Sequence, residues 1–307
     1  MSCLVVGGNG FIGRHLVKQL TKIGHHVIIF DRVAQSGKAD HRVEYHLGTF
    51  DDQSAIRKAV RGCEVVFHLA WTTYPKVSND NPFYDAQSNI LGTIQLLNVC
   101  IEFGVQKIVF LSSGGTVYGI PYKLPIPEDH PTNPICSYGI SKLTIEKYLD
   151  LYYRLHGLDY VILRPSNAYG EGQSPKRGQG AIAAFLWCVA NNQPIEVWGD
   201  GSVIRDYVHV DDIIRALLMV SNEKLQDRVL NLGSGIGTSL KDIIQHIQEL
   251  TKRKVEVHYT ASRSFDVPAV VLNIQRIQKQ IGWSPQVKLA DGLLRTWEWL
   301  KNLSIVQ

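Results

Sequence analysis

The chain has little of what marks several protein classes. Cysteine is scarce: Cys3, Cys63, Cys100, Cys136 and Cys188 are odd in number, widely spaced and form no C-x-x-C pair. That usage argues against a disulfide framework or a zinc site and suits reduced thiols in the cytoplasm. No stretch approaches the ~18 consecutive apolar residues that a membrane span needs. The first apolar run, "CLVVGG", starts at the third residue, which leaves no room for a signal peptide. Charge of one sign is also lacking in blocks. Lys and Arg number 32 against 28 Asp and Glu, so the net charge is +4, and no basic stripe with interleaved aromatics is present. Neither nucleic acid nor membrane is therefore an expected partner. Repeats and low-complexity tracts are missing too. What remains, at 45% hydrophobic and 20% charged over 307 residues, is the composition of a soluble globular enzyme with a substantial core.

Strands and helices alternate through the first half. "CLVVGG" stops at glycines, and "FIGRHLVKQLTKIG" follows with helical spacing. "HHVIIFD" and "VEYHL" are further strands, and "DDQSAIRKAVRG" is a helix capped near Asp51 or Asp52. Then come "EVVFHLA", one long helix over "FYDAQSNILGTIQLLNVCIEFG", the strand "KIVFLSS", a helix from about Tyr138 to His156, and "DYVILRP". Near-continuous apolar strands separated by helices predict a doubly wound α/β fold, a parallel sheet covered on both faces. We expect residues 1–165 to form a Rossmann domain, with about 205–235 returning to it. Residues 166–307 should form mainly a smaller α/β lobe.

Gly7, Gly10 and Gly13 give the spacing G-x-x-G-x-x-G between the first strand and first helix. The first glycine allows a tight turn, the second lets a pyrophosphate approach, and the third lets helix pack on strand. The N–H groups at the helix start, around Phe11 and Ile12, would hold the phosphates. Asp31 ends the second strand, where a carboxylate accepts hydrogen bonds from the adenosine ribose and repels a 2′-phosphate, favouring NAD over NADP. Arg32 beside it is a group that can accommodate such a phosphate.

"SYGISK" sets Tyr138 and Lys142 four apart on one helical face. An ammonium beside a phenol favours the phenolate, so Tyr138 is expected to be a base with a pKa lowered towards neutrality. Tyr118 has no such lysine and reads as a structural residue. Asp206, Asp211 and Asp212 could pass for a metal site, but a turn and a helix cap explain them better, and no metal is expected.

Together these motifs resemble an extended short-chain dehydrogenase/reductase, specifically the NAD-dependent sugar epimerase/dehydratase family. The similarity covers essentially the whole chain and includes "FHLA", Asn89 before "ILGT", "LRPSNAYG", "RDYVHVDD", "NLGSG" and "RSFDVP". It implies that Leu69 and Ala70 line the nicotinamide side and that Asn89 and Ser112 contact the cofactor with Tyr138 and Lys142. On the substrate side it implies that Asn167 and Arg205 meet nucleotide-sugar phosphates, Arg263 the pyrophosphate and Asp266 the uridine ribose.

The resemblance also implies the chemistry: Tyr138 takes the proton of a sugar hydroxyl while NAD accepts hydride from the same carbon. Dehydratases of the family carry acids after the catalytic Ser or Thr; Gly115 and Thr116 stand here, so a UDP-hexose 4-epimerase is the expected activity. UDP-glucuronate 4-epimerase and a 6-deoxysugar reductase are the alternatives, and a non-catalytic dinucleotide sensor is a remote one. Aligned on "VYG", the usual hydroxyl position is Gly114, so Ser113, the preferred candidate, or Thr116 must supply that group. Val270, at the gatekeeper position, leaves room for a 2-acetamido group, hence UDP-GlcNAc or UDP-GalNAc. Trp71 and Thr49 depart from the family pattern. A homodimer is implied, packed through faces expected to include Ile94, Leu97, Ile145 and Leu149.

Overall fold

Apolar strands that end in polar or glycine turns settle into one parallel sheet. The computed structural model describes residues 1–34, 40–175, 180–262 and 267–304. In chain order the first elements are β1 (Ser2–Val6), α1 (Phe11–Lys22), β2 (His26–Asp31), β3 (Val43–Leu47), α2 (Gln53–Val60) and β4 (Val65–His68). Next come α3 (Pro75–Asp80), α4 (Pro82–Asp85), a π-helical turn (Ala86–Leu91), α5 (Gly92–Glu102), β5 (Lys107–Leu111), α6 (Ser137–His156) and β6 (Asp159–Pro165). The chain continues through β7 (Asn167–Tyr169), α7 (Ala181–Ala190), β8 (Ile195–Trp198), β9 (Ile204–His209), α8 (Val210–Asn222) and β10 (Val229–Leu232). It ends with β11 (Gly237–Ser239), α9 (Leu240–Thr251), β12 (Val257–Thr260), β13 (Ala269–Val270), α10 (Gln275–Ile281) and α11 (Leu289–Ser304).

The seven-stranded sheet runs β10-β6-β5-β4-β1-β2-β3. Strand order reverses between β1 and β4, which are parallel neighbours with Val6 opposite His68. In a doubly wound sheet that reversal is where ligands bind, beyond the carboxyl ends of the strands. One core packs Leu4, Val66, Phe110 and Ile162 from the strands against Leu96, Leu97, Ile145 and Leu149 from α5 and α6. Leu97, Ile145 and Leu149 are thus interior residues, not parts of an outward face. Burying them against the sheet is worth more than leaving them exposed, by about 1.5–3 kcal/mol per side chain. Exposed apolar side chains on and just before these two helices include Phe83, Leu91, Ile140, Leu151 and Leu155. Local signals behave as the sequence predicts at two helix ends: Asp52 caps α2 through Ala55 N, and Gly157 closes α6 at φ 72°.

The chain divides into two compact units, Met1–Val117 with Pro134–Arg164 and Ile214–Leu230, and Tyr118–Asn133 with Pro165–Ile213 and Asn231–Gln307. The returning segment is therefore shorter than 205–235. Strand β9 stays in the second unit because β7, β11 and β13 pair with it. Residues 118–133 also leave the first unit. Tyr118 donates to Asn231 Oδ1 (2.6 Å), Asn231 N donates to Glu128, and Ile126 bridges Leu272. The second unit has its own core, with Phe185, Leu186, Ile243, Ile247, Leu293 and Trp297 from α7, α9 and α11. Asp206 is neither turn nor cap: it is fully buried on β9 and accepts from the backbone N–H groups of Ser234, Gly235 and Leu272. Asp212 accepts from Gln286 N and Val287 N, and Asp211 pairs with Arg295. Among the described residues no helix is long and apolar enough to cross a membrane.

His68 is enclosed at the end of β4, with Nε2 2.8 Å from Thr93 Oγ1 and rings of Phe50 and Phe110 beside it. Burial, and then the charge of Lys142, holds its pKa down to about 3. The unfolded chain takes up this proton near pH 6.5, so the stability contributed by neutral His68 is full above that value. It falls as pH drops towards 3. Urea unfolding between pH 7 and pH 4 should show a smaller acid loss in His68→Gln than in the parent, by up to ~1.4 kcal/mol per pH unit.

Candidate active site

The turn after β1 is shaped by what a side chain would strike. Gly7 has φ +86°, and a Cβ there would come within 2.8 Å of the Ala70 backbone. A Cβ on Gly13 would run into the Gly7 carbonyl and meet Gly8 Cα at 2.8 Å. Gly7 N bonds Phe30 O, and Gly10 N bonds Gly7 O, so the loop is tied to β2 and to itself. Helix α1 then starts at Phe11 and Ile12 with Gly10 as cap, no capping side chain and no acid in its first turn. A side chain-free cradle at an uncapped helix start suits an anionic pyrophosphate. Asp31 lies at the end of β2, accepting from Asn9 N at 2.9 Å and from the N–H of Arg32 at 2.7 Å. Leu69 N bonds Val6 O, which lays Leu69 and Ala70 beside the glycine turn. These residues fit a dinucleotide.

The catalytic candidates stand on α6. Its first turn has no capping side chain of its own; Asn79 Oδ1 accepts from Ser137 N (2.9 Å) and Ser78 Oγ from Tyr138 N (3.0 Å). Helix α3 thus fixes where Tyr138 begins. One turn on, Lys142 is 3% exposed and donates to Leu111 O at 2.7 Å. Its ammonium sits 3.8 Å from the Trp71 ring centroid, 4.8 Å from Phe110 and 5.7 Å from Tyr138. Burial pulls Lys142 down to about 7, while Glu146 and Asp85 pull the other way. The expected fall of the Tyr138 pKa does not occur within the protein itself. Burial, followed by the nearby Cys136 and Asp85, pushes the phenol well above its ordinary value. The reason is geometric: the ammonium points at the Leu111 carbonyl and the Trp71 face.

Two buried networks back this pair, and neither Glu146 nor Asp85 was named from the sequence. Glu146, four residues beyond Lys142, takes a two-point ion pair from Arg164 (3.0 and 2.5 Å) and the Ser112 hydroxyl. Ser112 is therefore turned to Glu146. Asp85 is fully buried and accepts from Ser141 Oγ (2.6 Å), Ser137 Oγ (3.2 Å), Asn89 Nδ2 (3.0 Å) and Thr73 Oγ1. Asn89 also donates to Asp85 O and accepts from Thr72 N and Thr72 Oγ1. That uses all four bonds an amide side chain can make. The Asn89 amide is thus spent on Asp85 and Thr72. The π-helical turn that carries it marks a local widening of a helix of the kind found at functional sites.

The profile of the NAD dependent epimerase/dehydratase family matches residues 3–233. The chain belongs to that family. A UDP-glucose 4-epimerase of Mycolicibacterium smegmatis is 35% identical over 316 residues, covering 99% of this chain and 100% of that protein. The crystal structure of UDP-glucose 4-epimerase with UDP-glucose from Thermotoga maritima aligns with TM-score 0.94 at 35% identity, over 99% of this chain and 100% of the other. The Thermus thermophilus UDP-glucose 4-epimerase complex with NAD aligns at 0.91 and 31% identity, over 98% and 99%.

The substrate-side positions of this family member fall in the second unit. Asn167 is opposite Tyr207 in the β7–β9 pair. Arg205 lies on β9 opposite Val270 of β13, and its guanidinium donates to Ile204 O and Val267 O. Val270 is buried. Arg263 and Asp266 lie outside the described residues. Ser113 and Thr116 follow β5, both half-buried. Thr116 Oγ1 is an enclosed oxygen without a partner, and the Thr116 carbonyl packs where a Cβ on Gly139 would be, at 2.8 Å. Gly139 directly follows Tyr138.

Gly13→Ala should cost about 1–3 kcal/mol through overpacking and strip NAD from the protein. Thermal melting and the nucleotide content of purified protein check this; a variant that keeps both would contradict the packing described here.

Proposed function

We propose that this family member interconverts the C4 epimers of UDP-hexoses, with NAD as a resident cofactor. The observation that carries the reading is Tyr138 and Lys142 beside the Gly7–Ala70 turn, with no carboxylate in the segment 112–119. A dehydratase requires a second proton-transferring acid there; an epimerase does not. NAD, when bound, supplies the hydride acceptor for C4 and a positive ring charge that favours the Tyr138 phenolate.

The chain's own residues then divide the work. Burial favours the neutral Tyr138 phenol; once positive charge beside it has released that proton, the phenolate takes the proton of the C4 hydroxyl and returns it when the keto group is reduced again. Lys142 holds a positive charge one helical turn away. The glycine turn and the start of α1 hold phosphates, and Asp31 receives ribose hydroxyls. Arg205 with Arg263 would serve the sugar nucleotide's phosphates, Asp266 the uridine ribose, and Asn167 the same phosphates. The hydroxyl that bridges Tyr138 and the substrate is assigned to Thr116, reversing the preference for Ser113. An enclosed oxygen without a partner, one packing contact from the residue after Tyr138, supports that choice. Thr116→Val should lower kcat at least tenfold more than Ser113→Ala. The opposite order returns the role to Ser113.

Val270 keeps the 2-acetamido sugars UDP-GlcNAc and UDP-GalNAc as substrates beside UDP-Glc and UDP-Gal. Turnover of UDP-glucose alone would remove that extension. A homodimer is proposed through Ile140, Leu151 and Leu155, which share an exposed stripe of α6, with Phe83 and Leu91. The free thiols of all five cysteines suit a reducing compartment, which supports the cytoplasm. Tyr138→Phe tests the chemistry: epimerisation of UDP-glucose should fall at least a thousandfold while NAD stays bound. A variant with near-parental turnover sinks the assignment of the base, and stoichiometric consumption of added nicotinamide by the parent would favour a reductase.

A further inference from the structure

Lys142 needs a reason to stay charged. It is 3% exposed, and its Nζ makes one described hydrogen bond, to Leu111 O at 2.7 Å. Beyond that carbonyl, the protein groups described around the ammonium are aromatic faces. The nearest partner is the face of Trp71, 3.8 Å from ring centroid to Nζ, closer than Phe110 or Tyr138. Indole offers the strongest aromatic face for a cation, and desolvation strengthens the attraction. The same indole meets the Tyr138 ring edge-on at 5.4 Å, so one side chain touches both members of the pair.

We propose that Trp71 is a positioning residue for the active site: its indole face clamps the Lys142 ammonium and braces the Tyr138 ring, holding the pair in register. This rests on the epimerase reading only for its catalytic consequence. The charged and titratable groups around Lys142 come from several elements. Glu146 lies on α6 and is neutralised by Arg164 of β6, Asp85 ends α4, His68 ends β4, and Tyr138 precedes on α6. Replacing Trp71 removes no charged or titratable group from this set. Burial already pulls Lys142 down to about 7, so losing the clamp should lower it further.

The test uses the full chain with NAD retained and lysine side chains labelled with nitrogen-15. The Lys142 signal is identified by its loss in Lys142→Met and titrated in the parent, Trp71→Leu and Trp71→Phe. The midpoint should fall by about one unit in Trp71→Leu and by less in Trp71→Phe, which keeps a weaker face. The alkaline limb of kcat/KM for UDP-glucose should move the same way. Thermal melting verifies that each variant is folded; if Trp71→Leu is not, Trp71→Phe decides. An unchanged midpoint overturns the proposal, and so does a rise, the sign expected if Trp71 only keeps water out. A chain that shows the shift but turns over no UDP-sugar would leave the clamp standing and remove the catalytic reading instead.

Discussion

Lys142 places a positive charge where most of its neighbours are carbon, and much of the first unit is arranged around that fact. Its ammonium ends on the Leu111 carbonyl at the close of β5, so helix α6 is tied to the central sheet at the strand end where ligands bind. Trp71, Phe110 and Tyr138 ring it. Behind it, Glu146 is held by Arg164 and Ser112 rather than by Lys142. A buried carboxylate that is already paired adds a steady field without locking the lysine in a salt bridge of its own. The lysine therefore stays available to whatever approaches Tyr138.

The second constraint is a buried acid whose donors are neutral. Among the described residues Asp85 accepts from Thr73, Ser137, Ser141 and Asn89, and no cation pairs with it. Two of these lie on α6 either side of Tyr138, so the carboxylate fastens the start of that helix to the segment 73–89. The π-helical turn serves the same end, because it carries Asn89, whose amide reaches back to Asp85. Ser78 and Asn79 complete the attachment by taking the first N–H groups of α6. The start of α6, and with it Tyr138, is thus held by several hydrogen bonds, as the proton-transfer role proposed for Tyr138 requires.

Much of this arrangement was legible beforehand because it obeys short-range rules. The glycine spacing, the strand before it, the acid closing β2 and the Tyr–Lys interval are local patterns whose geometry follows from one turn or one helix. Glu146 was passed over, although its place one turn beyond Lys142 on the same face was a signal that could have found it. Asp85, Asn89 and Asp206 were misread or passed over because their partners lie far along the chain. Asp206 looks like a turn residue beside Asp211 and Asp212, yet its partners are Ser234, Gly235 and Leu272. The faces of α5 and α6 failed for a related reason. Apolar residues at helical spacing show that a helix has a face, and only the sheet decides that Leu97, Ile145 and Leu149 point inwards. The fall expected for the Tyr138 pKa failed because spacing places the ammonium on the right face without saying where it points.

In the proposed reaction, hydride leaves C4 of the sugar and returns to the same carbon within one site. The direct measurement gives purified protein UDP-glucose deuterated at C4, with no nicotinamide added, and follows the product by proton NMR. The expected product is UDP-galactose that keeps its deuterium at C4. Product formed with loss of that label, or none formed until nicotinamide is supplied and consumed, would contradict it.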